Sequence, residues 1–388
     1  MARSPDAPRR ALFEEVGTTE RSAATPGQID RGRRGARGAI RVWLMVLFAL
    51  VAVMIAVGGA TRLTDSGLSI TEWAPISGAL PPLSQAEWQA QFDAYRQTDE
   101  YRLQNEGMSL AEFESIFWWE WGHRQLGRVI GLVWGIGFLF FLLTKRIPAG
   151  WTGRLLGVGA LGGLQGAVGW WMVSSGLRPG MLDVASYRLA IHLGLAFAIF
   201  GLIAWYVFRL GRSEAELLQA RRSGERRLWG GATGLMHLGF VQILLGALVA
   251  GIDAGRSFPS WPLMGGSFVP PDPFYVPSGG AAWRAFFENP GLVQFVHRIV
   301  AYLLTALVVV VWLRARRSPH PQTRLAFNAV LAMTALQVAI GIMTALYAAP
   351  LGIALLHQIG AVVLWVLILR GRFLARYPRV TSIRGTIR

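Results

Sequence analysis

The chain has no cysteine among its 388 residues. That absence excludes disulfides, thiolate metal sites, iron–sulfur clusters and any prosthetic group fixed by thioether bonds. Acidic residues are also scarce, with 22 Asp and Glu against 38 Lys and Arg and a formal net charge of +16. No two histidines stand at i, i+4 or any short ligand spacing, and no carboxylate cluster accompanies them, which argues against a zinc or copper centre. Histidine itself is rare, with six in all.

What the chain has in quantity is apolar sequence, 53% of residues, with a mean hydropathy of +0.40. Eight runs of about 20 residues are long enough to cross a bilayer. They lie near 41–60, 125–144, 155–174, 188–208, 229–250, 293–313, 325–347 and 351–369. The predicted class is an all-α polytopic membrane protein. Most basic residues fall in the two tails and the 2–3, 4–5 and 6–7 loops, whereas 14 of the 22 acids fall on the other side. This is the positive-inside pattern with both termini cytoplasmic. It accounts for the charge without nucleic acid, and anionic lipid adds to it. The first 40 residues are polar, Arg-rich and expected to be disordered. Their acids (Asp6, Glu14, Glu15, Glu20, Asp30) fit a bacterial cytoplasmic tail better than a mitochondrial transit peptide. No cleavable signal peptide is apparent, and the first span is expected to act as the insertion signal.

The spans repeat as two sets of four. Trp73 with Pro81-Pro82 pairs with Trp261 and Pro270-Pro271, and His123-Arg124 pairs with His297-Arg298. Leu164-Gln165 and Gly169 pair with Leu336-Gln337 and Gly341, and His192 pairs with His357. An even number of spans per repeat predicts two four-helix bundles related by a pseudo-two-fold axis along the membrane normal. The expected organisation is a tail at 1–40, a first repeat at 41–210, a linker at 211–228, a second repeat at 229–372 and a tail at 373–388. The long first outer loop, 61–122, carries two capping boxes, Ser84–Glu87 and Ser109–Glu112. They predict two short helices, the second running towards the next span. The 5–6 outer loop, rich in Gly and Pro, is expected to be irregular.

His123, His192, His297 and His357 stand one each on the even-numbered spans, near the outer face. His192 is roughly 6 Å and His357 roughly 10 Å into its span by helical rise. An imidazole in lipid rarely lacks a partner. The bland alternative is a hydrogen bond to a neighbouring helix; two facing imidazoles per half are also what a six-coordinate heme iron needs. His237 has no counterpart and is expected to be structural, and His320 lies in a cytoplasmic loop. Glu120 shares a helical face with His123, whereas neutral Gln294 stands at the matching place before His297. The first half is therefore expected to hold the chemistry and the second to transfer electrons, unless Glu120 is merely a wet interfacial carboxylate. Arg124 and Arg298 suit either a heme propionate or a lipid headgroup, with Arg62 and Arg128 weaker candidates. Trp118, Trp119 and Trp121 suit an aromatic belt. Gly159, Gly163 and Gly166 suit close helix packing or clearance for a porphyrin edge.

The sequence resembles the heme A synthase family. The segments that carry the likeness are Gly58-Gly59-Ala-Thr61-Arg62 through Ser69, Glu120-Trp-Gly-His123-Arg124 with Gly127-Arg128, and Leu164-Gln165-Gly166-Ala-Val-Gly169. Val249-Ala250-Gly251, Ala254-Gly255, His297-Arg298 and Leu356-His357-Gln358 complete it. The resemblance spans about 40–372. It implies oxidation of a ring methyl of heme O to a formyl group, giving heme A for cytochrome oxidase, through two hydroxylations and loss of water. It implies heme b held by His297 and His357 with Arg298, and substrate heme O held by His123 and His192 with Arg124. It also implies a catalytic role for Glu120. One branch of the family carries a cysteine pair in its outer loops; this chain lacks it, so no thiol step operates here. The charge pattern and the tail lead to an expected bacterial inner-membrane location with the heme sites towards the periplasm. Heme O synthase is a partner by analogy, and a homo-oligomer is possible; neither the electron donor nor the source of the formyl oxygen is legible. Two other readings stay open. A diheme b-type electron carrier should place its hemes at different depths, and a duplicated transporter should place polar groups at midplane, for which Gln165, Gln242 and Gln337 are the candidates.

Overall fold

The computed structural model describes residues 28–379. Within them lie eight helices long and apolar enough to cross a membrane. In lipid only a helix or a closed barrel satisfies its own backbone, and no strand occurs among the described residues. The helices are α1 (Gln28–Leu63), α2 (Gln85–Tyr95), α3 (Asp99–Leu103), α4 (Leu110–Leu143), α5 (Thr152–Gly176), α6 (Ser186–Leu210), α7 (Glu214–Arg222), α8 (Arg226–Gly251), α9 (Ala254–Ser257), α10 (Ala285–Glu288), α11 (Pro290–Ala315), α12 (Pro321–Leu346) and α13 (Leu351–Arg376).

Each half closes a ring of four spanning helices. In the first, α1 packs on α4 and α6, and α5 joins α4 to α6; in the second, α8 packs on α11 and α13, and α12 joins those two. The rings meet through α6–α8, α1–α13 and α6–α13. Exchanging the halves turns the first of these contacts into the second and leaves the third unchanged. The first core, built on Leu44, Leu47, Phe197, Phe200 and Ile203, also takes in Trp365 and Leu369 from the second half. Trp365 lies on Gly201 and donates its indole N–H to the Phe197 carbonyl at 3.2 Å. Leucines and isoleucines such as Leu132 and Ile136 remain exposed on the outside of the rings, the surface that faces acyl chains.

Three expectations change. α1 starts at Gln28, so residues 28–40 are helical rather than disordered; residues 1–27 lie outside the described residues. The second short helix of the first outer loop is not separate. Ser109 caps a single helix that runs to Leu143. Nothing in the intervening sequence stops it, and Phe113 and Phe117 on its outer extension pack under Phe92 and Tyr95 of α2. The 5–6 outer loop is irregular as expected in most of its length, but it also contains α9 and α10. The capping box at Ser84 does start its own short helix, α2.

Candidate functional site

Helix starts fix the depth of the histidines. His192, His297 and His357 each lie about two turns inside helices that begin at Ser186, Pro290 and Leu351. His123 stands further along its helix because α4 begins outside the bilayer. The four fall into two neighbouring couples. His192 is within electrostatic range of His123, and His297 of His357.

Every one of these rings lies on a glycine of the preceding spanning helix. A Cβ built on Gly58, Gly169 or Gly341 would come within 2.8, 2.9 and 2.8 Å of Cε1 of His123, His192 and His357; on Gly246 it would lie 3.3 Å from Cε1 of His297. The Cε1 edge faces the glycine in all four, which leaves Nε2 as the more distant ring nitrogen. Four single imidazoles seated on glycine and paired across two bundles form a donor set that fits two planar macrocycles with an axial ligand on each face. Only the glycine lets the ring sit this close to the neighbouring backbone.

Glutamines complete three of the four seats. Nε2 of Gln165 lies 3.1 Å from Nδ1 of His192 and donates to its carbonyl at 3.0 Å. Gln242 does the same to His297 at 3.1 and 3.1 Å, and Gln337 to His357 at 3.2 and 2.7 Å. Each glutamine stands four residues before its glycine, so both reach the same histidine from one helix face. The sequence presents Gln165 and Gln337 as a repeat-matched motif and all three glutamines as midplane candidates for transport, but none as a histidine partner. The recurrent Gln-x-x-x-Gly spacing was the available signal. Gly58, with Met54 four residues before it, lacks that spacing.

Glu120 is buried, 3% exposed, and fully engaged. Its Oε2 accepts from Ser69 Oγ and from the Ile70 backbone N–H, both at 2.7 Å. Its Oε1 accepts from Arg124 Nη2 at 2.6 Å and Nε at 3.1 Å. Arg124 also donates to the carbonyls of Ile70 and Glu72, and Arg128 donates to those of Ala74 and Pro75. In this structure the two arginines pin the start of the first outer loop over the site, a role the sequence did not suggest. On α11 the matching pair is neutral on one side. Arg298 Nη2 donates to Gln294 Oε1 at 3.2 Å and to the Phe258 carbonyl at 3.1 Å, while its Nη1 is buried without a partner. A buried, unpartnered guanidinium nitrogen near this histidine pair would fit a carboxylate of such a macrocycle.

Arg62 ties three outer segments together, reaching Asp65 at 2.6 Å, Asp253 at 3.1 Å and Asp183 at 3.5 Å. Beneath this knot lies Glu100 of α3, 3% exposed, with an Oε2 that has no partner. Burial pushes its carboxyl up to about 8, with Asp183, Glu120 and Asp65 adding to the shift and Arg62 opposing it. Nothing in the sequence marked Glu100 as buried. His237 is exposed on α8, and His320 sits at the start of α12, so neither joins a pair. Trp118 and Trp119 are 44% and 42% exposed, and Trp118 packs edge-on against Trp121. Trp134 lies on Gly159, the close-packing role, while nothing lies within 4 Å of a Cβ on Gly163 or Gly166.

Residues 41–369 match the family model described as COX15-CtaA, cytochrome oxidase assembly protein. Curated relatives align over nearly their full length. The protein named Heme A synthase in Ruegeria pomeroyi is 66% identical over 97% of this chain and 99% of its own. Its namesake in Paracoccus denitrificans is 64% identical over 98% and 100%, and that in Cereibacter sphaeroides 57% identical over 98% and 99%.

Proposed function

The chain belongs to the heme A synthase family of cytochrome oxidase assembly proteins, and we propose that it oxidises a ring methyl of heme O to the formyl group of heme A. The observation that carries this reading is an asymmetry. Two paired-imidazole seats are alike in their glycines, yet only the first has a buried carboxylate, Glu120, three residues before a ligand. His297 and His357 then hold a resident heme b, with Arg298 Nη1 directed to a propionate. His123 and His192 hold heme O. Heme b supplies one-electron chemistry when bound.

The remaining work falls to the chain's own groups. The glycines set the ring positions, and the two bundles exclude water from the pairs. Ser69, Ile70 N–H and Arg124 fix both oxygens of Glu120, so a proton lost near the substrate has one defined acceptor. The carboxylate also stabilises positive charge that develops beside it. Two of these hydrogen bonds tie Glu120 to Ser69 and Ile70, and Arg124 adds the carbonyls of Ile70 and Glu72, so closure of the first outer loop and placement of the carboxylate are one event.

The positive-inside pattern supports both termini in the cytoplasm and the sites towards the periplasm of a bacterial inner membrane. The exchange-invariant contacts between the rings support a pseudo-two-fold relation of the halves. Heme O synthase as the source of substrate, an electron donor and a homo-oligomer complete the proposed setting. A diheme electron carrier is not favoured, because relatives at 57–66% identity bear the name of the synthase. The test is pigment extraction and mass analysis from cells making this chain together with a heme O source. Heme A is expected, and recovery of heme O alone would overturn the assignment.

A further inference from the structure

Three histidines have a glutamine four residues before the glycine they lie on, and His123 does not. At that place on α1 stands Met54. Its methyl lies 3.5 Å from a Cβ built on Gly127, one turn beyond His123 on α4. Met54 therefore stands at the repeat position of Gln242, whose amide reaches both His297 Nδ1 and the His297 carbonyl. The consequence is visible at the ring. Nδ1 of His123 is buried with no hydrogen-bond partner.

An imidazole that ligates iron through Nε2 carries its proton on Nδ1, and that N–H needs an acceptor to fix the ring and raise its basicity. In this structure each glutamine presents its amide Nε2 to the ring, and Oε1 of Gln165, Gln242 and Gln337 is buried with no hydrogen-bond partner; turned about, the same amide offers that oxygen to an Nδ1–H. A thioether offers only a weak acceptor. We propose that Met54 makes His123 the weakly held axial ligand, so that the first-half site lets its porphyrin go while the second-half site retains its own. The proposal rests on the ligand assignment made above and adds the reason why one of two similar seats turns over. A site that takes in a substrate and releases a product of nearly the same shape needs one such ligand. A resident cofactor does not.

The experiment uses the full-length protein purified with both sites loaded, and apomyoglobin as the porphyrin acceptor. Met54→Gln is expected to slow pigment loss from the first site by about tenfold or more, the scale of outer-shell effects on metal affinity. It is also expected to lower that site's midpoint potential, which a purely structural change would not do. Gln242→Met is the reciprocal swap and is expected to speed loss from the second site. Second-site absorbance reports the fold of the first variant, and first-site absorbance that of the second. Unchanged loss from the first site in a folded Met54→Gln protein overturns the proposal while leaving the ligand assignment intact. Should Met54→Gln fail to accumulate, unchanged loss in Gln242→Met overturns it equally. A His123→Ala protein that keeps wild-type first-site pigment would overturn the ligand assignment itself, and the proposal with it.

Discussion

Arg124 grips the Glu120 carboxylate one helical turn away, through a 2.6 Å contact from Nη2. Arg298 makes the same i, i+4 approach on α11, but to the neutral amide of Gln294 at 3.2 Å. The two halves thus share a scaffold and differ by one ionisable group. Since Gln294 shows that an amide is accommodated in this geometry, Glu120→Gln should leave the fold and both pigments in place. Heme A formation should fall by about 10²–10⁴-fold, the range for losing a positioned proton-transfer group. Extracted pigment ratios measure it, and an unimpaired Glu120→Gln enzyme would remove the carboxylate from the chemistry.

The glycine seats predict a graded series. Gly341→Ala and Gly169→Ala put a methyl within 2.8 and 2.9 Å of a ring, whereas Gly246→Ala leaves 3.3 Å. Displacing a packed ring costs about 1–3 kcal/mol. The first two variants should lose low-spin pigment from the affected half only, and Gly246→Ala should lose less. Visible spectra of the three purified variants give the order, and equal losses would contradict it.

Arg62 holds Asp65, Asp183 and Asp253, which belong to three different outer segments and both halves. Each of these carboxylates is partly exposed, so each contact is individually weak. Arg62→Ala should cost about 1–2 kcal/mol and loosen the outer surface as a unit. Limited proteolysis of the purified protein should then cut the first outer loop and the 5–6 loop together. Cleavage of one loop alone would mean the knot does not couple them.

Glu100 sets a pH window. Its folded carboxyl is pushed up to about 8 from an ordinary value of 4.5. Below the ordinary value both the folded and the open loop carry a neutral acid, and stability is complete. As pH rises towards 8 the open form ionises first, so the packed loop loses stability across that interval. Glu100→Gln should match the wild type near pH 4.5 and resist proteolysis better at pH 8. A constant difference between the two proteins across pH would rule out Glu100 as the origin.

Much of this was legible before any coordinates. Span number and the pairing of the histidines follow from apolar runs and from repeated motifs, because a bilayer admits few alternatives to a helix. The difference between Glu120 and Gln294 was visible for the same reason, as a mismatch between repeats. The start of α4 was not. A capping box marks where a helix begins, but whether it merges with the next span depends on Phe113 and Phe117 finding α2. For Arg124 the sequence offers a propionate or a lipid headgroup as partner; its i, i+4 partner Glu120 was within reach of sequence reasoning, whereas the carbonyls of Ile70 and Glu72 stand at no fixed sequence distance from it.

The sequence by itself determined the class and the eight spans, and it singled out four imidazoles, since these are matters of local periodicity and one-dimensional repetition. Only the tertiary structure decided what each imidazole touches. The seats of Gly58, Gly169, Gly246 and Gly341, the three glutamine clasps and the bare Nδ1 of His123 are contacts between helices. Such contacts depend on the rotation and depth of one helix against another, which packing sets and composition does not.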